Sequence, residues 1–168
     1  YQNDRMKKPL ERLLESDEFV VECDVANDES IASAFETIKE YAGEIHGVVH
    51  AVAYANKEDL SGDILNISRD GYALAQDISS YSLIAVTKYA KPILAENAGI
   101  VTLSYLGAER AVPNYNMMGI AKAALESSVR YLAAELSPQK IRVNAISAGA
   151  IKTLAVTGVK DYQKLIQL

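Results

Sequence analysis

The sequence predicts an α/β fold built on a parallel sheet with helices on both faces, and three observations carry that prediction. Short apolar, β-branched runs alternate with amphipathic stretches; the runs have lengths suited to strands buried on both sides; and polar or small residues collect where the runs end. A chain of 168 residues, 49% hydrophobic and 23% charged, holds enough apolar material for one domain with a real core. Disordered and fibrous architectures are excluded on that ground.

The predicted strands are residues 19–25, 47–55, 100–105 and 141–147. Between them lie the helical patterns. A charged amphipathic segment covers 3–14, and residues 28–41 place Ile31, Phe35 and Ile38 at helical spacing behind a cap at Asn27 or Asp28. A longer segment runs over 69–94, past Pro92. Another covers 114–136, with Ala121, Leu125, Val129, Leu132 and Leu136 on one side and Pro138 as its stop. Strand and helix in alternation imply right-handed crossovers and a doubly wound, Rossmann-type sheet, whose ligands gather at the carboxyl ends of the strands. Those ends carry Asp24-Val25, Ala53-Tyr54-Ala55, Tyr105-Leu106-Gly107 and Ser147-Ala148-Gly149. The nine glycines never take the Gly-x-Gly-x-x-Gly spacing, and no strand precedes the first helical segment. Either this is not a dinucleotide-binding fold, or its usual first strand, phosphate turn and first helix are absent from residues 1–168.

Composition narrows the partners. The net charge is −5 with no basic run, so nucleic acid is not expected. No apolar stretch reaches the ~18 residues of a membrane span, and the first residues are polar, so neither a membrane nor a signal peptide is expected. The single cysteine, Cys23, excludes an intramolecular disulfide and suits a reducing cytoplasm. His46 and His50 are spaced for a metal only on a helix, whereas Gly-Val-Val-His-Ala-Val reads as a strand, so no metal site is expected.

The chemistry concentrates around Ser104-Tyr105-Leu106-Gly107 and Pro113-Asn114-Tyr115-Asn116-Met117-Met118-Gly119-Ile120-Ala121-Lys122. Tyr115 and Lys122 are seven apart, near two helical turns, which puts both on one face about 10 Å apart along the axis. Tyr1/Lys8 and Tyr81/Lys88 share that interval, but only Tyr115 follows a buried strand end, with Tyr105 at the strand's tip. On spacing alone, packed tyrosines with wet hydroxyls explain the pattern equally well.

The segments Asp77-Ile-Ser-Ser-Tyr-Ser82, Leu103-Ser-Tyr-Leu-Gly-Ala-Glu-Arg-Ala-Val-Pro-Asn-Tyr-Asn116, Met118-Gly-Ile-Ala-Lys122 and Arg142-Val-Asn-Ala-Ile-Ser-Ala-Gly149 resemble bacterial enoyl-acyl carrier protein reductase of the FabI type. That family is a divergent branch of the short-chain dehydrogenase/reductases, the likeness spans essentially the whole chain, and it implies a Rossmann-type sheet incomplete at both ends within residues 1–168, without the first strand, phosphate turn, first helix and final strand. Ordinary members of the superfamily use Tyr-x3-Lys, and none of the ten tyrosines here has lysine four residues on.

The resemblance implies NADH-dependent reduction of trans-2-enoyl thioesters on acyl carrier protein in type II fatty acid biosynthesis, in the cytoplasm, by a homotetramer. It makes Tyr115 the phenol that meets the thioester carbonyl, Lys122 the ligand of the nicotinamide ribose and Tyr105 the second active-site tyrosine. It assigns cofactor contacts to Gln2, Asp24, Val25, Val52, Ile151, Lys152, Thr153, Leu154 and Ala155, and acyl contact to Ala55. Lys122, with its positive charge, is also expected to hold a neighbouring phenol's pKa down. Ala51, Ala53 and Tyr54 depart from the family's usual small polar residue, glycine and phenylalanine. The neutral-to-acidic Gln2-Asn3-Asp4 favours NADH over NADPH, whose 2′-phosphate wants a cation. Residues 153–168 resemble a mobile substrate lid, Gly119, Ala123 and Ser127 would allow close helix packing, and the stretch alone is expected to be inactive. Two other readings stay open: a carbonyl- or alcohol-specific dehydrogenase, and a catalytically silent nucleotide-binding module.

Overall fold

The computed structural model describes residues 2, 10 and 19–149. Helix α1 (Asp28–Ala42) leads into strand β1 (Ile45–His50), followed by a short helix α2 (Lys57–Leu60). Helices α3 (Arg69–Gln76) and α4 (Ser82–Ala90) flank a π-helical turn, Asp77–Tyr81. Strand β2 (Leu94–Tyr105), helix α5 (Asn116–Leu136) and strand β3 (Arg142–Ala148) complete the order. The three strands are parallel in the order β1-β2-β3, with His50 opposite Thr102 and Tyr105 opposite Ala148.

Local chemistry sets most of these boundaries. The Asn27 side chain accepts from Ser30 N–H at 3.0 Å and caps α1, whose first turn carries Asp28 and Glu29 against the positive end of the helix dipole. Gly43 ends it with φ 69°, a conformation that glycine adopts without strain. Helix α3 starts where Ser68 Oγ accepts from Gly71 N–H at 2.9 Å.

The core lies between the sheet and the helices. Ile100 and Val143 meet Leu83 from α4 and Leu125, Val129 and Leu136 from α5, all buried. Helix α1 adds Ile31 against Ala85 and Val86. Truncating a fully buried member such as Leu125 to alanine costs about 2–5 kcal/mol. These helices share one face of the sheet. Val49, Leu103 and Ile146 lie on the other face and are exposed among the described residues; the predicted helix over 3–14 falls outside them, apart from a helical Leu10.

Three expectations need correction. Residues 19–25 are not a ladder strand: among the described residues the sheet consists of β1, β2 and β3, and a strand joins a sheet only where a neighbouring backbone supplies the ladder. The run predicted over 47–55 stops at His50, because residues 51–56 leave the sheet as a loop at its carboxyl edge. The single helix predicted over 69–94 is divided by the π turn at Asp77–Tyr81 and closed by a 3-10 turn, Lys91–Ile93, where Pro92 lacks an N–H; Leu94 already belongs to β2.

Candidate active site

The carboxyl end of β2 is where the predicted phenols and ammonium meet. Tyr105 is the last residue of β2, and Tyr115 stands at the capping position of α5 with φ −120° and ψ 13°, outside the helix body. The two rings pack edge to face, centroids 4.9 Å apart and planes at 68°. Gly107 makes this approach possible: a Cβ there would lie 2.5 Å from Tyr115 Cδ1 and 3.3 Å from Tyr105 Cδ1. Gly119 is needed for a related reason, since its Cβ would fall 2.9 Å from the Gly107 carbonyl oxygen. That glycine therefore serves contact within the chain.

Lys122 comes from the second turn of α5 and is buried, with its Nζ donating to the Leu103 carbonyl at 2.7 Å. Tyr115 thus lies beside Gly107 and Lys122 beside Leu103, both at the carboxyl end of β2. Burial lowers the lysine to about 8. Burial, followed by the nearby Tyr105, pushes the Tyr115 phenol up from its ordinary value. The expectation that Lys122 holds a neighbouring phenol down is thereby overturned for Tyr115, whose phenol is raised because burial disfavours the phenolate. Tyr115 remains a proton-bearing donor across the neutral range.

Two polar networks brace this edge, and sequence reasoning missed both. Ser104 Oγ, buried beside Tyr105, donates to Glu126 Oε1 at 2.5 Å, tying the tip of β2 to α5 one turn beyond Lys122. His50 is 3% exposed, with Nε2 2.8 Å from Ser82 Oγ and Nδ1 2.9 Å from Thr102 Oγ1. Ser82 Oγ also donates to the Ile78 carbonyl at 2.6 Å and Thr102 Oγ1 to the His50 carbonyl at 3.1 Å, so each hydroxyl joins the imidazole to a main-chain oxygen. Burial, then the Lys122 charge, lowers His50 to about 4. A histidine inside an apolar run was the available signal, because a buried imidazole must find partners.

The predicted cofactor residues divide into groups. Gln2 Nε2 donates to Asp24 Oδ1 at 3.3 Å, and Ala26 N–H donates to the same oxygen at 3.1 Å, so Asp24 also makes the local turn. Val25 packs on the Ile31, Ala85 and Val86 cluster. Val52 and Ala55 sit on the 51–56 loop after β1; Ala55 and Tyr115 touch one apolar cluster of Leu60, Ala75, Met117, Met118 and Ala121. Ile151, Lys152, Thr153, Leu154 and Ala155, and the predicted lid, lie outside the described residues. Among the described residues no group of three or more metal-ligating side chains occurs; His46 is exposed, 3.9 Å from Glu44.

A family model described as enoyl-(acyl carrier protein) reductase matches residues 1–168. The chain belongs to that family. It is 67% identical over 168 residues to the NADH-named FabI reductase of Enterococcus faecalis, covering 100% of this chain and 67% of that one. The FabI of Bacillus subtilis, also named for NADH, is 49% identical over 171 residues, covering 99% and 66%. A crystal structure of the Bacillus cereus enoyl-acyl carrier protein reductase with NADP+ and an indole naphthyridinone matches with a TM-score of 0.95 at 50% identity, over 99% of this chain and 66% of that one. The chain thus spans about two thirds of the length of the family members it matches, and shares their Rossmann-type α/β fold.

Proposed function

We propose that the protein reduces the trans-2 double bond of enoyl-acyl carrier protein thioesters with NADH, in bacterial type II fatty acid biosynthesis. The observation that carries this reading is the meeting of Tyr105, Tyr115 and Lys122 at the end of β2, in a family whose named members are enoyl reductases.

The residues fit a nicotinamide dinucleotide. Lys122 is a buried ammonium with three donors, of which the Leu103 carbonyl takes one, leaving two for ribose hydroxyls. The cofactor supplies hydride to the β-carbon of the enoyl group. Negative charge then develops on the thioester oxygen, and the protonated Tyr115 hydroxyl is the donor available to meet it. Protonation of the α-carbon completes the reduction. Tyr105 supports Tyr115 through its ring edge, and the apolar cluster shared by Ala55 and Tyr115 suits an acyl chain.

The finer assignments belong to the same proposal. Gln2, Asp24, Val25, Val52 and Ile151 to Ala155 contact the cofactor, with NADH preferred over NADPH. Acyl carrier protein presents the substrate, residues 1–168 contribute to a single Rossmann-type domain, the working compartment is the cytoplasm and the assembly is a homotetramer. Exposed Ala123 and Tyr131 on α5 support helix packing between copies. No helix among the described residues is long and apolar enough to cross a membrane. The test is loss of NADH absorbance when the complete reductase meets a crotonyl or longer 2-enoyl thioester. Oxidation of NADH by a simple ketone instead, with the enoyl thioester inert, would transfer the assignment to a carbonyl reductase.

A further inference from the structure

The 51–56 loop carries Val52 and Ala55, and one buried side chain fastens its middle. Tyr54 N–H donates to Ser79 Oγ at 2.8 Å, and the Ser79 hydroxyl donates to the Tyr54 carbonyl, also at 2.8 Å. One hydroxyl thereby satisfies both backbone groups of a single residue, using its proton and a lone pair. Ser79 is 0% exposed whereas the Tyr54 side chain is exposed, so what Ser79 holds is the loop's main chain. Ser79 belongs to the π turn, and Ser82, immediately after that turn, reaches His50 at the end of β1. The turn that interrupts the long helix thus faces two serines toward β1 and the loop leaving it.

We infer that Ser79 is a positioning residue that sets the 51–56 loop, and with it Val52 and Ala55, for cofactor and acyl substrate. The inference rests on the reductase reading above. Ser79 touches no reacting atom; it acts through the Tyr54 backbone. Its loss therefore weakens binding contacts common to ground and transition states, which raises KM and leaves kcat nearly unchanged.

The experiment uses the complete reductase with Ser79→Ala and Ser79→Cys, the cysteine keeping most of the volume but hydrogen-bonding weakly. Thr87→Val in α4 is the control, since Thr87 is buried outside the π turn and its hydroxyl makes no hydrogen bond to the loop. Both Ser79 variants are expected to raise KM for NADH and for a 2-enoyl thioester about tenfold, with kcat within about twofold. Unchanged KM in both variants, or a wild-type KM in Ser79→Cys, would overturn the inference; the second result would reduce Ser79 to a packing role. If Ser79→Ala does not fold, Ser79→Cys alone decides. Amide exchange at Tyr54 gives a readout independent of turnover, expected to be about tenfold faster in Ser79→Cys than in wild type. An inactive wild type with faster Tyr54 exchange in the variant defeats the reductase reading while leaving the Ser79 clasp standing; equal exchange defeats the clasp.

Discussion

The edge of one tyrosine rests on the face of another at the end of β2: Tyr105 and Tyr115 are 4.9 Å apart between centroids, at 68°. The contact joins the tip of β2 to the start of α5, so the two phenols are positioned by tertiary packing across nine intervening residues. Burial first, and then the adjoining Tyr105, raise the Tyr115 phenol above its ordinary value.

Tyr115→Phe removes the hydrogen-bond donor and preserves the ring contact. The loss of one such donor costs about 3–4 kcal/mol in the transition state, so turnover should fall by a few hundredfold with NADH affinity kept. Steady-state kinetics alongside a fluorescence titration of NADH check this. Wild-type turnover would remove the Tyr115 hydroxyl from the mechanism.

Lys122, lowered by burial to about 8, is largely charged at neutral pH and loses its charge through that value. NADH affinity should accordingly fall as pH rises from 7 toward 9, since a neutral amine binds ribose hydroxyls less strongly. Lys122→Ala should weaken NADH at pH 7 and flatten the profile; titrations at several pH values measure both.

His50 tests burial through stability. Its folded value of about 4 lies below the ordinary 6.5, so the unfolded chain takes up a proton first as pH falls. Stability is unaffected above the unfolded value and declines between the two, by about 3 kcal/mol in total if no other group intervenes. Urea unfolding at pH 7 and pH 4.5 should show the decline, and His50→Asn should reduce the slope. An identical slope in the variant would assign the acid sensitivity to other groups.

Gly107→Ala places a methyl group 2.5 Å from the Tyr115 ring, closer than atoms can pack. Relief requires moving that ring or the 3-10 turn Leu106–Ala108. The expected cost is about 1–3 kcal/mol in stability, with turnover reduced by tenfold or more as Tyr115 shifts. Thermal unfolding and kinetics on one preparation separate the two effects. Full activity would mean that the Tyr105–Tyr115 geometry tolerates displacement.

Much of this was legible in the residues themselves. Periodicity located α1 and α5 to within about two residues, because an amphipathic face repeats at the helical spacing wherever the helix packs. A helix start just after a buried strand end singled out Tyr115 and Lys122 as candidates, and the structure sets both at the carboxyl end of β2. Residues 19–25 read as a strand because their pattern is strand-like, but a pattern does not supply the neighbouring backbone. The π turn at Asp77–Tyr81 left no period of its own in the sequence, and Ser79, Ser82 and Glu126 looked like ordinary polar positions.

What the sequence determined by itself was local: which segments coil or extend, where they stop, and which side chains can carry a proton or a charge. Tertiary structure alone decided which of those groups lose water and which backbone they meet. Burial raised Tyr115 and lowered Lys122 and His50, and the packing of the π turn against the 51–56 loop paired Ser79 with Tyr54. Desolvation and hydrogen-bond pairing depend on neighbours distant in the chain, and no local pattern records them.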